Sequence, residues 1–521
     1  MKLAFLGAAT TVTGSQFLLT TDRARVIIDC GLFQGSPSEA ALNRQPLPYD
    51  PGSIDAIVLT HAHLDHCGYL PVVVRAGYRG PVFATEPSVE LVRLVLLDSG
   101  KVQQEQAKMR RRRAARRTRQ GTAEAATQRA PEHLVALPGE TLHGRRAEDG
   151  PAGGEADGDL ERAIRRHPPE LDTAAIEPLY TVEDAEVACE RLRGVTYARP
   201  IEIAPGVTAT LHDAGHILGS AIVVLDVEEA GRARRLVFSG DLGRPGTPIL
   251  RDPTAILGGA DVVVMESTYG GREHEPSDEA RRLLADAVNV VASGHGVLLV
   301  PAFAIGRTQE IVWELDRLVS AGTIPRIPLY LDSPMASAAG DIYHRYPGTY
   351  DEETFRLLDA GETPLDYPGQ VITTTSDASR AIADKPRPMM IVASSGMLTG
   401  GRVVNHLREL IDDPDAMLLF VGYQGEGTLG AHLQAGARTV RLDGETRQVR
   451  CAIRSISGFS AHADESELLD WVGHFATAPR RPSHVFLVHG DPDAADALEP
   501  KVRALGLSTY RPAWREEVEI P

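Results

Sequence analysis

Three histidines and an aspartate fall within one short stretch, Leu59-Thr60-His61-Ala62-His63-Leu64-Asp65-His66-Cys67-Gly68. Imidazole and carboxylate are the ligands that hydrolytic metal sites use, and they suit zinc. A metal held this way makes a nucleophile of water at neutral pH and neutralises charge on a reacting ester. His61 and His63, two residues apart, can reach one metal from an extended turn. Asp65 and His66 lie past the bend and can face a second. The pattern predicts a two-metal centre; the plainer alternative is a solvated, histidine-rich loop. Cys67 is read as packing, not as a ligand.

Such a site needs a rigid support. Ile54-Asp55-Ala56-Ile57-Val58-Leu59 reads as a buried strand, and a loop at its end can aim several side chains at one point. At 521 residues the chain is long enough for two or three domains. An apolar fraction of 43% and a charged fraction of 24% are ordinary for a globular protein. The net charge of -17 argues against a basic coat for nucleic acid, though not against a local basic groove. Cys30, Cys67, Cys189 and Cys451 form no CxxC pair. That argues against a zinc knuckle or a disulfide framework and fits a cytoplasmic protein. No apolar run is long enough to span a membrane. The opening Met1–Ser15 reads as a first strand and glycine turn, not as a signal peptide.

Short strands are expected at 2–8, 16–20 and 25–29, the last ending on Asp29. A helix is expected over Glu86–Ser99. Seven arginines then fall between Arg110 and Arg119, followed by a stretch rich in Gly, Ala, Asp and Glu, so residues 109–177 read as a low-complexity insertion. The arginine run could meet RNA phosphates or simply be a solvated basic helix. Strands return over residues 201–250, and two further ligand candidates sit at their ends. His216 lies in Ala214-Gly215-His216-Ile217-Leu218-Gly219, between glycines that permit close backbone approach. Asp241 follows a strand in Ser239-Gly240-Asp241. Over 261–430, apolar runs at Val262–Met265, 297–300, 328–331, 389–393 and 417–422 alternate with helical stretches. That alternation predicts a second, parallel α/β domain interrupting the first.

His61-Ala62-His63-Leu64-Asp65-His66 resembles the HxHxDH signature of the metallo-β-lactamase superfamily. Three later segments resemble the markers of its β-CASP group, the nucleic-acid-processing branch: Glu266 in Glu266-Ser267-Thr268-Tyr269-Gly270, His462 in Phe459-Ser460-Ala461-His462, and His489 in Leu487-Val488-His489-Gly490. The implied architecture is α/β: a metallo-β-lactamase αββα sandwich with an inserted β-CASP parallel α/β domain. Its expected divisions are 1–250, 251–435 and 436–521. A histidine at 489, where DNA-acting members tend to carry valine, implies RNA as substrate.

The resemblance further implies two Zn2+ per chain. One would sit on His61, His63 and His216, the other on Asp65, His66 and His489, with Asp241 bridging. Asp29 would support the ligand loop from behind. A hydroxide shared by the metals would attack phosphorus in line. His462 would act as general acid, oriented and kept protonated by Glu266; Asp65 is counted with the catalytic residues as well as the ligands. Arg307, Ser395 and Gly396 are expected phosphate contacts, in loops after strands where backbone N–H groups can cradle anions. The partner is single-stranded RNA, no membrane is involved, and relatives point to a homodimer. The rivals are a hydrolase of small esters or lactams, a catalytically silent RNA-binding scaffold and a DNA nuclease.

Overall fold

The computed structural model describes residues 1–127 and 177–520, except 423, 426 and 443. Contacts divide the chain into two units: 1–99 with 182–521, and 100–181.

The first unit holds three large sheets. The first contains β1 (Lys2–Gly7), β2 (Gln16–Thr20), β3 (Arg25–Ile28), β4 (Ala56–Val58), β5 (Val82–Thr85) and β6 (Leu192–Val195), with β22 (Glu516–Glu519) on the outer side of β1. The second contains β7 (Ile201–Ala204), β8 (Val207–Asp213), β9 (Ala221–Glu229), β10 (Arg232–Phe238) and β11 (Val262–Glu266), followed across the sheet by β20 (His484–Val488) and β21 (Thr509–Tyr510). The third runs β14 (Gln370–Ile372), β13 (Leu329–Leu331), β15 (Met389–Ala393), β12 (Val297–Pro301), β16 (Ala416–Phe420), β19 (Ala452–Ser455). β17 (Thr439–Leu442) and β18 (Glu445–Gln448) make a separate hairpin.

Alternation dictates how the first two sheets meet. In β8, Val207, Ala209 and Leu211 point one way and are buried, while Thr208 and Thr210 between them are only half-buried. These residues join Leu3, Phe5, Phe17, Val26, Ile28, Phe238, Val264 and Phe486 in one core between the sheets. Phe5 packs on Phe486 with ring centroids 4.9 Å apart. The far face of the second sheet buries Val263, Met265, Val485 and Leu487 against Leu468, Trp471 and Phe475 of helix Glu465–Thr477 and Leu498 and Val502 of helix Pro492–Ala504. This is half of the αββα sandwich in direct view.

The third sheet is parallel at every pairing. Its central strands β12, β15 and β16 are apolar and buried at every position, as a sheet covered on both faces requires. Helices Ser277–Ser293 and Arg307–Ser320 cover one face and Arg402–Leu410 the other.

Three expectations change. Val262–Glu266 was expected in the inserted sheet but lies between β10 and β20, parallel to both. Ala452–Ser455 falls after the expected end of the insertion, yet it pairs with β16 of the third sheet. The helix expected to stop at Ser99 continues from Glu86 to Thr127, because Arg, Ala, Gln and Glu are all good helix formers. Most of the expected 109–177 insertion lies outside the described residues. Within the second unit, Arg111 pairs with Glu177 and the Leu179 amide donates to Gln103 at 2.9 Å. Among the described residues, no helix is long and apolar enough to cross a membrane.

Candidate metal centre and active site

The strand ends bring the predicted ligands together. β4 ends just before Thr60, and the one-turn helix Leu64–Cys67 starts directly after His63. That turn swings Asp65 and His66 away from His61 and His63, so one short sequence serves two directions. Gly31 lets the neighbouring strand end pass close by: a Cβ there would lie 1.7 Å from the Asp65 carbonyl oxygen. Gly240, with φ +57°, brings the Asp241 loop down on Thr60; a Cβ there would meet the Thr60 Cβ at 2.8 Å.

Two groups of donor atoms gather the predicted ligands, beside a third made of Asp241, Glu266 and His462. His61, His63, His216 and Asp241 form one, and Asp65, His66 and His489 the other, the atoms of each lying within 4.8 Å of one another. Asp241 faces both. Its Oδ2 is 3.5 Å from His61 Nε2 and 3.6 Å from His216 Nε2. Its Oδ1 is 3.3 Å from His66 Nε2 and 3.5 Å from His489 Nδ1, with no hydrogen bond of its own although buried.

The hydrogen bonds behind the histidines decide which nitrogens carry lone pairs. Asp29, at the end of β3 with a left-handed backbone (φ 60°), accepts from His66 Nδ1 at 2.8 Å. It also accepts from the Thr60 amide at 2.7 Å and the Thr60 hydroxyl at 2.9 Å. The Thr60 hydroxyl, its proton committed to Asp29, accepts from His61 Nδ1 at 3.0 Å. His216 Nδ1 donates to the Ala461 carbonyl at 3.1 Å. The Thr268 hydroxyl donates to the His489 carbonyl at 3.0 Å and accepts from His489 Nδ1 at 3.2 Å. In all four rings Nδ1 holds the proton, so Nε2 is left as a bare lone pair. Yet the Nε2 atoms of His66 and His489 stand 3.2 Å apart, and those of His61 and His216 stand 3.1 and 3.2 Å from His63 Nδ1. Lone pairs converging at such distances suit a shared cation, and an orphaned buried carboxylate oxygen between them suits it further. The donor set fits a metal.

The electrostatics agree for His61, His63 and His216, whose neutral rings burial favours, but in the absence of a cation not for His66. Burial holds His61 and His216 well below the usual imidazole value, and His63 down at about 4. Burial opposes charge on His66 too, but Asp241 and Asp29 beside it raise it well above the usual value. Asp241 is buried, yet the surrounding histidines, His489 foremost, keep its carboxyl well below the usual range.

His462 stands on the open side, its side chain 19% exposed. Its Nδ1 lies 3.2 Å from both oxygens of Glu266, which is fully buried and also accepts from the Leu242 amide at 2.6 Å. Its Nε2 is 3.9 Å from Asp241 Oδ2. Burial would lower this imidazole, but Glu266 and then Asp241 raise it to about 9. The turn carrying it is braced by His274, whose Nε2 donates to the His462 carbonyl at 3.2 Å and whose ring stacks edge-on to Tyr269 at 4.3 Å. The elements that meet here are the strand ends of the sandwich and the carboxyl ends of the third sheet, where open α/β sheets bind ligands.

The remaining expected contacts are less direct. Arg307 is buried, paired with Glu310, and lines a pocket beside His216. Ser395 uses its hydroxyl within its own loop, accepting from the Thr399 amide at 3.1 Å. Gly396 lies under Phe303, where a Cβ would meet the ring at 2.8 Å. Thr60, Thr268, His274 and Phe303 were not singled out from sequence. Each threonine lies just past a strand end, Thr268 also just past the marker glutamate, which is the only signal they carry.

A histidine–aspartate cage at the strand ends of a two-sheet sandwich defines a metallo-hydrolase. Residues 9–78 match the metallo-beta-lactamase superfamily, 308–433 the Beta-Casp domain, and 446–512 the Zn-dependent metallo-hydrolase RNA specificity domain. Ribonuclease TTHA0252 of Thermus thermophilus is 35% identical over 506 residues, covering 97% of this chain and 95% of that protein. The transcription termination factor FttA of Pyrococcus abyssi is 30% identical over 536 residues, covering 98% and 70%. Its namesake from Methanosarcina mazei is 28% identical over 519 residues, covering 96% and 69%. The chain belongs to the β-CASP group of the metallo-β-lactamase superfamily.

Proposed function

We propose that this protein is a two-zinc ribonuclease that hydrolyses phosphodiester bonds of single-stranded RNA. One observation carries the reading: two ligand groups share Asp241, and an imidazole held by a buried glutamate faces them from the open side. His61, His63, His216 and Asp241 Oδ2 would hold one ion; Asp65, His66, His489 and Asp241 Oδ1 the other. The nitrogen and oxygen donors favour zinc. When bound, the ions would activate a water and neutralise charge on the phosphate oxygens. Glu266 accepts from His462 Nδ1 and favours the protonated ring, so Nε2 presents the proton that the leaving sugar oxygen needs. Asp29, through His66 and through Thr60 to His61, fixes the ligand rings.

Single-strand preference follows from depth. The ligands, apart from the half-buried His63 and Asp65, are buried at the base of strand-end loops, and a duplex is too wide to bring its backbone there. Strand pairing supports a sandwich domain interrupted between Glu266 and Ser455, a displacement of the expected 251–435 division. Cys30, Cys67, Cys189 and Cys451 are all free and buried, which supports a cytoplasmic location.

The test is one sequence supplied as single-stranded RNA and as DNA, labelled at either end, cut by wild type and by His462→Ala, with bound metal measured. Cleavage of RNA that is lost in the variant while metal is retained is expected. A fully metal-loaded wild type that leaves RNA intact would turn the assignment to a small-ester or lactam hydrolase or to a silent scaffold.

A further inference from the structure

Phe303 is a large aromatic side chain left 36% exposed. A single exposed apolar residue carries no message, but this one stands at the metal cage. Its ring centroid lies 6.4 Å from that of His63, with the planes at 49°. It sits in the turn after β12, at the carboxyl edge of the third sheet. The turn is rigidly held: the Phe303 carbonyl accepts from the Thr308 amide at 3.1 Å and the Thr308 hydroxyl at 2.7 Å. From the next strand end, Gly396 supplies the floor. A Cβ at 396 would come within 2.8 and 2.9 Å of two ring carbons and 3.1 Å of the Phe303 amide nitrogen. The missing side chain is what allows the ring to lie where it does.

A hydrolase acting on phosphate alone has no use for an open apolar ring next to its ligands. A nucleic acid offers one group with a matching flat, weakly hydrated face: the base. Resting on the ribonuclease reading above, we propose that Phe303 is the platform on which the base adjoining the scissile phosphate stacks, so that it positions the strand and selects unpaired RNA. A base inside a duplex is already stacked on both sides and cannot offer its face. Stacking tolerates any sequence, because every base has a π-face. Gly396 then serves the substrate indirectly, by leaving the ring its place.

The experiment uses full-length protein and single-stranded RNA oligonucleotides that carry one abasic nucleotide, moved stepwise across the cleavage site. Wild type is expected to lose about 5- to 150-fold in kcat/KM at one position beside the cut, the range of one lost stacking contact. Phe303→Ala should show that loss already on intact RNA, keep its bound metal, and be indifferent to the abasic step. Phe303→Trp should restore both the rate and the abasic penalty. Gly396→Ala, which displaces the ring without removing it, should behave like Phe303→Ala. If Phe303 only shields His63, Phe303→Ala will lose metal and the abasic penalty will persist at full size; that result overturns the platform. Rates within twofold of wild type for Phe303→Ala overturn it as well. Failure of metal-loaded wild type to cut any RNA overturns the ribonuclease reading, and this inference with it.

Discussion

The floor of the site and its rim are built on different terms. The floor comes from the sandwich: His61, His66, His216, Asp241 and His489 are all at least 95% buried, and four of the rings have Nδ1 fixed by a partner behind them. The rim comes from the turns that follow β12, β15 and β19: His462 and Phe303 are partly exposed, the first held by the Glu266 carboxylate and the second by its backbone turn. The floor gathers imidazole nitrogens and carboxylate oxygens around points that suit a cation. The rim leaves one proton and one flat surface facing outward. Metal retention and substrate handling should therefore be separable by mutation.

The largest effect should come from Asp241→Ala. Removing the carboxylate that both ligand groups share should empty the site and lower turnover beyond the ~10⁴-fold upper end of a lost general acid. Elemental analysis checks this, and full metal content in the variant would break the division between floor and rim. His462→Ala should lower turnover by ~10²–10⁴-fold with metal content unchanged, measured by single-turnover cleavage. Loss of metal there would mean the rim is part of the floor. Asp29→Ala touches no donor atom aimed at the cage, yet frees His66 directly and His61 through Thr60. Metal affinity should fall by ~10–100-fold in a chelator competition. The subtlest change is Glu266→Gln. Glu266 and Asp241 raise His462 to about 9, and a general acid works only while protonated, so activity should decline above that region. Removing the Glu266 charge lowers the value, so the alkaline limb of the pH–rate profile should move to lower pH. An unmoved limb would detach Glu266 from the proton.

The convergence of the candidate ligands was legible in sequence because each sits at a strand end or tight turn, where residue type and order carry the signal. His216 and Asp241 gained meaning from following His61–His66 in order. Strand membership was harder. Val262–Glu266 is four apolar residues and a glutamate, all buried, and the apolar run looks the same in any parallel sheet covered on both faces. Ala452–Ser455 is an edge strand with no fully buried residue, so its sequence hides the pairing with β16. The supporting groups were invisible for another reason. Thr60, Thr268 and His274 act through hydrogen bonds that reach groups far off in sequence, which no local pattern encodes. Gly396 read as a phosphate loop, whereas its lack of a side chain is explained by the ring of Phe303 above it.

His66 and His489 meet across 423 positions of sequence. The strand that delivers His489 slots between β11 and β21, and the His489 amide donates to the Ala8 carbonyl at 2.7 Å, close to the other end of the chain. Synthesis runs from the N-terminus, and domains tend to fold in that order. A ribosome making this protein exposes His61 to His66 long before His489, so the second half of the cage can close only after the whole third sheet has been made.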